Sequence, residues 1–260
     1  MSLSQHDLES LARKHGVDLF GVADMAPAHA LISQLGGEYL TRFPRAIALG
    51  KRLSSTVVEQ LPRGKSGQQL LTAFYTYRAH NDMIVQRLKE AAFDITMAIE
   101  DAGYKAYPVY TGSIQQATRL SPVPMKLAAH LSGLGWIGKN GLLVTPQHGP
   151  RQWLNTVLTD APLATGAPMP NRCGDCRLCV EACPSKALTG VPFNPEEPRE
   201  ARFNYKACAD YSRQKLQALG VTDAAFPRYA CSMCLYICPF GRKRGAESGA
   251  PETEAAEAGA

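Results

Sequence analysis

The chain has 260 residues, a hydrophobic content of 45%, a charged content of 20% and a net charge of +5. That is enough for a buried core in one large or two modest domains, and the composition excludes disordered and collagen-like classes. No apolar run approaches the roughly 18 residues of a membrane-spanning helix, and the opening MSLSQHDLES has neither a basic n-region nor an apolar h-region, so a cytoplasmic protein without membrane contact is expected.

Taken in chain order, Ser4 caps a helix through HDLESLARKH with Gly16 as its stop. VDLFGVAD (17–24) reads as a buried strand, PAHALISQL as a second helix ended by Gly36 and Gly37, and RAIALG (45–50) as a short strand. LSSTVVEQLPRGKSG (53–67) reads as a loop. From Gln68 to Asp101 the apolar residues Leu70, Phe74, Tyr77, Ile84, Leu88, Ala92, Ile95 and Ile99 recur at three-, four- or seven-residue steps, the signature of one face of a long helix. Gly103 stops it. YKAYPVY is strand-like, PVPMKLAAHLSGLG helical, and GLLVTP and RQWLNTVLTD are two further strands. Alternating helices and strands predict an α/β or α+β fold for this part. APLATGAPMPN (161–171) is a linker candidate, and the last fifteen residues, with four glutamates in ESGAPETEAAEAGA, read as a disordered acidic tail.

All eight cysteines lie between residues 173 and 238. In a reducing compartment such clustering points to metal and not to disulfides. CGDCRLCVEACP places Cys173, Cys176, Cys179 and Cys183 before Pro184, the C-x2-C-x2-C-x3-C-P spacing of bacterial ferredoxins. Cys208, a 22-residue gap, then Cys231, Cys234 and Cys238 before Pro239 repeat the motif with a stretched first interval. In two-cluster ferredoxins the fourth cysteine ligates the other cluster. Exchange therefore assigns Cys173, Cys176, Cys179 and Cys238 to one [4Fe–4S] cluster, and Cys208, Cys231, Cys234 and Cys183 to the other, with the fourth cysteine expected to start a helix. Paired zinc sites are the alternative, but zinc does not explain three-cysteine loops each closed by Cys-Pro.

GLGWIGKNG (133–141) holds a literal G-x-G-x-x-G at Gly133, Gly135 and Gly138. A dinucleotide site needs a strand before it and a helix after it, and here the order is reversed. Two readings stay open: a turn packing a helix end on a sheet, or a close-approach site where glycines let backbone run along a flat ligand between Trp136 and Lys139.

SGLGWIGKNGLLVTP, then LTDAPL, then the two cysteine motifs resemble the epoxyqueuosine reductase family over roughly residues 70–240. That family is similar to the reductive dehalogenases, which pair a nitroreductase-like cobalamin-binding domain with a two-cluster ferredoxin domain. The resemblance implies domains at 1–165 (cobalamin-binding), 166–245 (double [4Fe–4S] ferredoxin-like) and 246–260 (acidic tail). It also implies a corrinoid contacted by Gly135, Trp136, Ile137, Gly138, Lys139 and Asn140. Where the reductases carry a proton-donating aspartate upstream of the glycine stretch, Arg119 stands here, and a guanidinium is no general acid near neutral pH. No helical-repeat extension for holding tRNA follows the second motif, so the sequence reads as a short paralogue.

Arg119 with Tyr107 and Tyr110 are the candidate catalytic residues, a nearby cation lowering a phenol's pKa. Lys126, Lys139, His130 and His148 are candidate pocket or axial groups, and the basic run GRKRG (241–245) a candidate dock for an acidic donor. The expected function is an iron–sulfur oxidoreductase passing low-potential electrons from a ferredoxin or flavodoxin to a corrinoid that reduces a small or nucleoside-like substrate. The alternatives are a redox partner that activates another corrinoid protein and, less favoured, an epoxyqueuosine reductase acting on tRNA.

Overall fold

The computed structural model describes residues 3–63, 67–110, 120–221 and 231–241. Helix α1 (Gln5–Lys14) begins where expected: Ser4 Oγ accepts the Asp7 amide, and Gly16, at φ +72°, takes the left-handed turn after its last residues. Strand β1 (Leu19–Asp24), helix α2 (His29–Gly36) and strand β2 (Arg45–Arg52) follow, with a 3-10 turn on either side of α2. Helix α3 (Ser55–Arg63) replaces the expected loop. Two adjacent valines and a proline read against helix, but Ser54 Oγ accepts the Val57 amide as a cap, and Val58 and Leu61 are fully buried; packing overrides weak propensity.

Helix α4 (Gly67–Asp101) is 35 residues long, and every residue of its predicted apolar stripe is buried. Each fully buried large aliphatic or aromatic side chain contributes about 1.5–3 kcal/mol, so this one helix anchors the main core. Strand β3 (Ala106–Val109), helix α5 (Met125–Leu131), the two-residue strands β4 (Trp136–Ile137) and β5 (Leu143–Val144), and strand β6 (Gln152–Thr159) complete the N-terminal part.

The main sheet runs β1-β2-β6-β3, antiparallel throughout, with Leu19 opposite Gly50, Ile47 opposite Val157 and Val109 opposite Thr156. Strand alternation separates two cores. Val22, Ile47, Leu49 and Val157 face α1, α3 and α4; Ala23, Ala46 and Leu158 face α2 and α5. An antiparallel sheet covered by helices on both faces is an α+β arrangement, which settles the two classes left open by the sequence.

The segment expected to be a linker is tied down. Gly166 donates to the Val22 carbonyl at 2.8 Å, and a Cβ on Gly166 would lie 2.2 Å from the Ser132 carbonyl oxygen, so the backbone passes directly over the end of α5. Beyond it lie helices α6 (Leu178–Glu181), α7 (Tyr205–Gln217) and α8 (Met233–Tyr236). Among the described residues no helix is long and apolar enough to cross a membrane. The acidic tail and all of GRKRG after Gly241 lie outside the described residues.

Candidate iron–sulfur site and its seam with the helix–sheet domain

The first cysteine motif folds as a tight loop running into one helical turn, and in the second Cys208 stands on α7 while Cys231 leads into a like turn. Asn171 Oδ1 accepts the Cys173 amide at 2.8 Å, the Cys176 amide bonds the Cys173 carbonyl, and Gly174 sits at φ +49° between them. Turn α6 carries Cys179 and turn α8 carries Cys234. Cys183 and Cys238 follow these turns and do not start helices as expected: although proline suits a first helical position, the chain turns left-handed at Lys186 (φ 51°) and at Gly241 (φ 79°) directly afterwards. Helices α6 and α8 pack on one another, bringing the two motifs together.

Cys173, Cys176 and Cys179 of the first motif and Cys238 of the second line one solvent-open cavity, with Lys139, Asn140, Val144, Leu178 and Phe240 in its walls. Burial, then the neighbouring Cys173 and Cys176 sulfurs, push the Cys179 thiol up to about 11. Burial, then Cys179, Cys173 and Cys176, raise Cys238 to about 11 as well. The remaining four form a second neighbourhood. Cys234 is raised by burial and then by Cys231 and Cys208 ahead of Cys179 and Cys183, and Cys231 by burial with Cys183 among its neighbours. Two polar contacts are preset there: the Ala187 N–H points at Cys183 Sγ (3.3 Å), and the Ser185 hydroxyl lies 3.5 Å from it. Thiols buried this way resist ionising until a cationic centre binds the thiolates. The four sulfurs line the walls of a space instead of meeting at a point, which fits a polynuclear iron–sulfur group better than a single zinc ion.

The glycine stretch supplies the other wall. β4 and β5 pair as a hairpin, Trp136 opposite Val144, and residues 138–142 form its tip, closed by Gly138 N–H to the Leu142 carbonyl. A Cβ on Gly135 would lie 2.2 Å from the Val144 carbonyl oxygen, and one on Gly138 would meet Val144, Asn140 and the Cys173 sulfur. Lys139 Nζ donates to the Gly174 carbonyl (2.7 Å) and Asn140 Nδ2 to the Cys234 carbonyl (3.5 Å). The indole of Trp136 packs edge-on against Phe240, with Arg172 over its face. All six residues from Gly135 to Asn140 are buried. The space beside Gly135 is taken up by the chain's own backbone, and Lys139 and Asn140 turn their polar groups to the cysteine loops and line the sulfur cavity; the corrinoid contact that the resemblance implies for residues 135–140 stays a proposal.

Three residues that the sequence reading passed over complete the seam. The buried Arg151 pairs with Glu59 of α3 at 2.9 Å and donates to the carbonyls of Leu235 and Tyr236 in the second motif. The Ser232 hydroxyl donates to the Val58 carbonyl at 3.0 Å. Gly149 and Gly241 cross so closely that a Cβ on Gly149 would lie 1.9 Å from the Phe240 carbonyl oxygen.

The other candidates are dispersed. Tyr107, 40% exposed on the edge strand β3, packs against Tyr39 and Phe43, while Tyr110 is half-buried against the main core; neither lines the cavity. Arg119 lies outside the described residues. His130 Nδ1 donates to the Gly135 carbonyl (2.9 Å) and its ring meets Phe193. Burial pushes His148 down, Asp18 opposing and Arg52 adding to the shift. Trp153 Nε1 bonds Asn81 in the core, and Lys126 reaches the Gly141 carbonyl.

Residues 172–241 match the family of 4Fe-4S double cluster binding domains. Over 179 residues the chain is 31% identical to the epoxyqueuosine reductase of Gloeobacter violaceus, covering 67% of this chain and 50% of that protein. It is 30% identical over 169 residues to that of Lactococcus garvieae, covering 63% and 42%. The chain thus spans half the length, or less, of these curated relatives. Among solved structures it superposes on a reductive dehalogenase described as B12-dependent, with a TM-score of 0.63 at 17% identity over 91% of this chain and 31% of that one. The Streptococcus thermophilus epoxyqueuosine reductase gives 0.55 at 18% over 92% and 66%. The chain is a sequence relative of the epoxyqueuosine reductases, shares its fold with them and with the dehalogenases, and carries a double-cluster domain.

Proposed function

We propose that the chain is an iron–sulfur oxidoreductase in which two [4Fe–4S] clusters pass electrons to a reaction centre on the helix–sheet domain. Cys173, Cys176, Cys179 and Cys238 hold one cluster, and Cys208, Cys231, Cys234 and Cys183 the other. The observation that carries this is the single cavity walled by three sulfurs of one motif and the last sulfur of the other. Such clusters supply single electrons and no bond chemistry of their own. The chain's part is to hold the thiolates, to exclude water with Trp136 and Phe240 on the inner side, and to fix both loops against the hairpin tip through Lys139 and Asn140.

The relatives imply a corrinoid as the electron acceptor. Gly135, Trp136, Ile137, Gly138, Lys139 and Asn140 are the residues that would border it, and no step is routed through it. For the substrate, the relatives' shared name, and a solved epoxyqueuosine reductase holding an epoxyqueuosine-modified tRNA stem loop, favour tRNA over the small molecule first expected. Arg119, standing where those enzymes carry a proton-donating aspartate, favours the second reading, delivery of electrons to another protein.

The test is anaerobic reconstitution with iron, sulfide and cobalamin, followed by metal analysis and incubation of the reduced protein with an epoxyqueuosine-bearing stem loop. About eight irons are expected from two [4Fe–4S] clusters, with one retained cobalt and conversion to queuosine. Eight irons without cobalt or conversion leave the electron-delivery reading, and fewer than about four irons overturn both.

A further inference from the structure

Lys139 and Asn140 stand side by side at the hairpin tip, yet each reaches a different cysteine motif, and only Lys139 brings a charge. Its residue is 9% exposed, its side chain lines the sulfur cavity, and its ammonium donates to a neutral acceptor, the Gly174 carbonyl between Cys173 and Cys176. Among the described residues no carboxylate lies within ion-pair distance of it. Asp175 in the same loop is exposed to water, and Arg172 lies out over Trp136. The other buried cation of the seam, Arg151, is neutralised by Glu59. Around the second group of cysteines the cation that acts on Cys231 is Lys215, which is only half-buried, and water and salt screen it.

The asymmetry has a redox consequence. Adding an electron makes a cluster more negative, and an uncompensated cation in a low-dielectric wall favours that state, as do N–H donors around the sulfurs. We propose that Lys139 raises the reduction potential of the cluster at Cys173, Cys176, Cys179 and Cys238 above that of its neighbour, so that an electron entering from a single-electron donor settles at the cluster facing the helix–sheet domain. The step is one-electron exchange: the neighbouring cluster is oxidised by one electron as this one is reduced, with no proton or bond change. It rests on the reading that both cysteine groups hold [4Fe–4S] clusters.

The test is an anaerobic redox titration followed by electron paramagnetic resonance on reconstituted wild type, Lys139→Gln and Lys139→Arg, with iron counted first. Wild type that fails to hold two clusters refutes the cluster reading itself and is seen before any potential is measured. Lys139→Gln keeps a hydrogen-bond donor and removes the charge. It is expected to retain its iron and to lower one of the two potentials by a factor of ten or more in electron sharing, which is 59 mV for a one-electron couple, leaving the other in place. Lys139→Arg, which keeps the charge, should titrate as wild type. Unmoved potentials in Lys139→Gln, two potentials moving together, or a shift in Lys139→Arg as large as in Lys139→Gln overturn the proposal. So does loss of iron from Lys139→Gln alone, which makes the residue a clamp on the loop.

Discussion

Replacing Arg151 by leucine tests the seam between the two parts of the chain. The guanidinium, 2% exposed, serves three acceptors: Glu59 at 2.9 Å, the Tyr236 carbonyl at 3.3 Å and the Leu235 carbonyl at 3.4 Å. Removing one partner of a buried pair costs about 3–5 kcal/mol. Glu59 keeps 28% exposure and can recover some hydration, which places the cost near the lower end, at about 3 kcal/mol. For a chain of this size that is a fall of roughly 6–12 °C in Tm. Part of the loss comes from the stranded carboxylate, so Arg151→Leu combined with Glu59→Leu should regain stability over the single variant, although two carbonyls still lack a donor. Arg151→Lys should rescue little, because one ammonium cannot span three acceptors held in a planar fork. The assay is anaerobic thermal unfolding by circular dichroism, with iron counted after gel filtration. A Tm within about 2 °C of wild type, or a double variant no better than the single one, would show that the ion pair does not hold the second motif in place.

Three further outcomes are expected. Gly149→Ala forces a Cβ into the Phe240 carbonyl at a position with φ +56°; the left-handed backbone alone costs about 1–2 kcal/mol, and iron retention should fall, whereas full iron at wild-type Tm would contradict the close crossing. Cys238→Ser should remove about half the iron while the Cys208 group stays loaded, a result read from iron analysis and unpaired-spin counting; loss of all iron would mean that the two clusters assemble only together. His80 Nε2 accepts the Ser54 amide at the cap of α3, and burial, then Lys51, push its pKa below 6.5. A lowered folded pKa gives stability that is present above 6.5 and lost as pH falls through the folded value. Tm should therefore drop more steeply between pH 7 and 5 in wild type than in His80→Gln, and parallel slopes would remove His80 from the account.

Much of the fold was legible because it rests on local periodicity. The α4 stripe from Leu70 to Ile99 repeats for about eight turns, and the Ser4 cap and the Gly16 stop are local chemistry readable in place. What escaped was decided by distant partners. Helix α3 is helical because Val58 and Leu61 find a core, and the central position of β6 between β2 and β3 is a pairing choice with no local signal. The cysteine spacing announced its chemistry, but the glycines of residues 133–141 were ambiguous in kind. A glycine demanded by a flat ligand and one demanded by the chain's own carbonyl are the same letter, and the Val144 carbonyl beside Gly135 is a demand that only the fold brings into view. Arg151 was invisible for a similar reason, since Glu59 and Tyr236 lie 92 and 85 residues away.

The mixed parentage of the sulfur cavity sets a clock on synthesis. Its first three cysteines leave the ribosome more than fifty residues ahead of Cys238. At about 5–20 residues per second, three thiols wait several seconds for the fourth. During that interval the nascent chain is a loose, oxidisable metal trap, and the completed seam at Gly149 and Gly241 cannot yet close. Maturation is therefore tied to the emergence of Cys238, and iron delivered earlier has only an incomplete socket to enter.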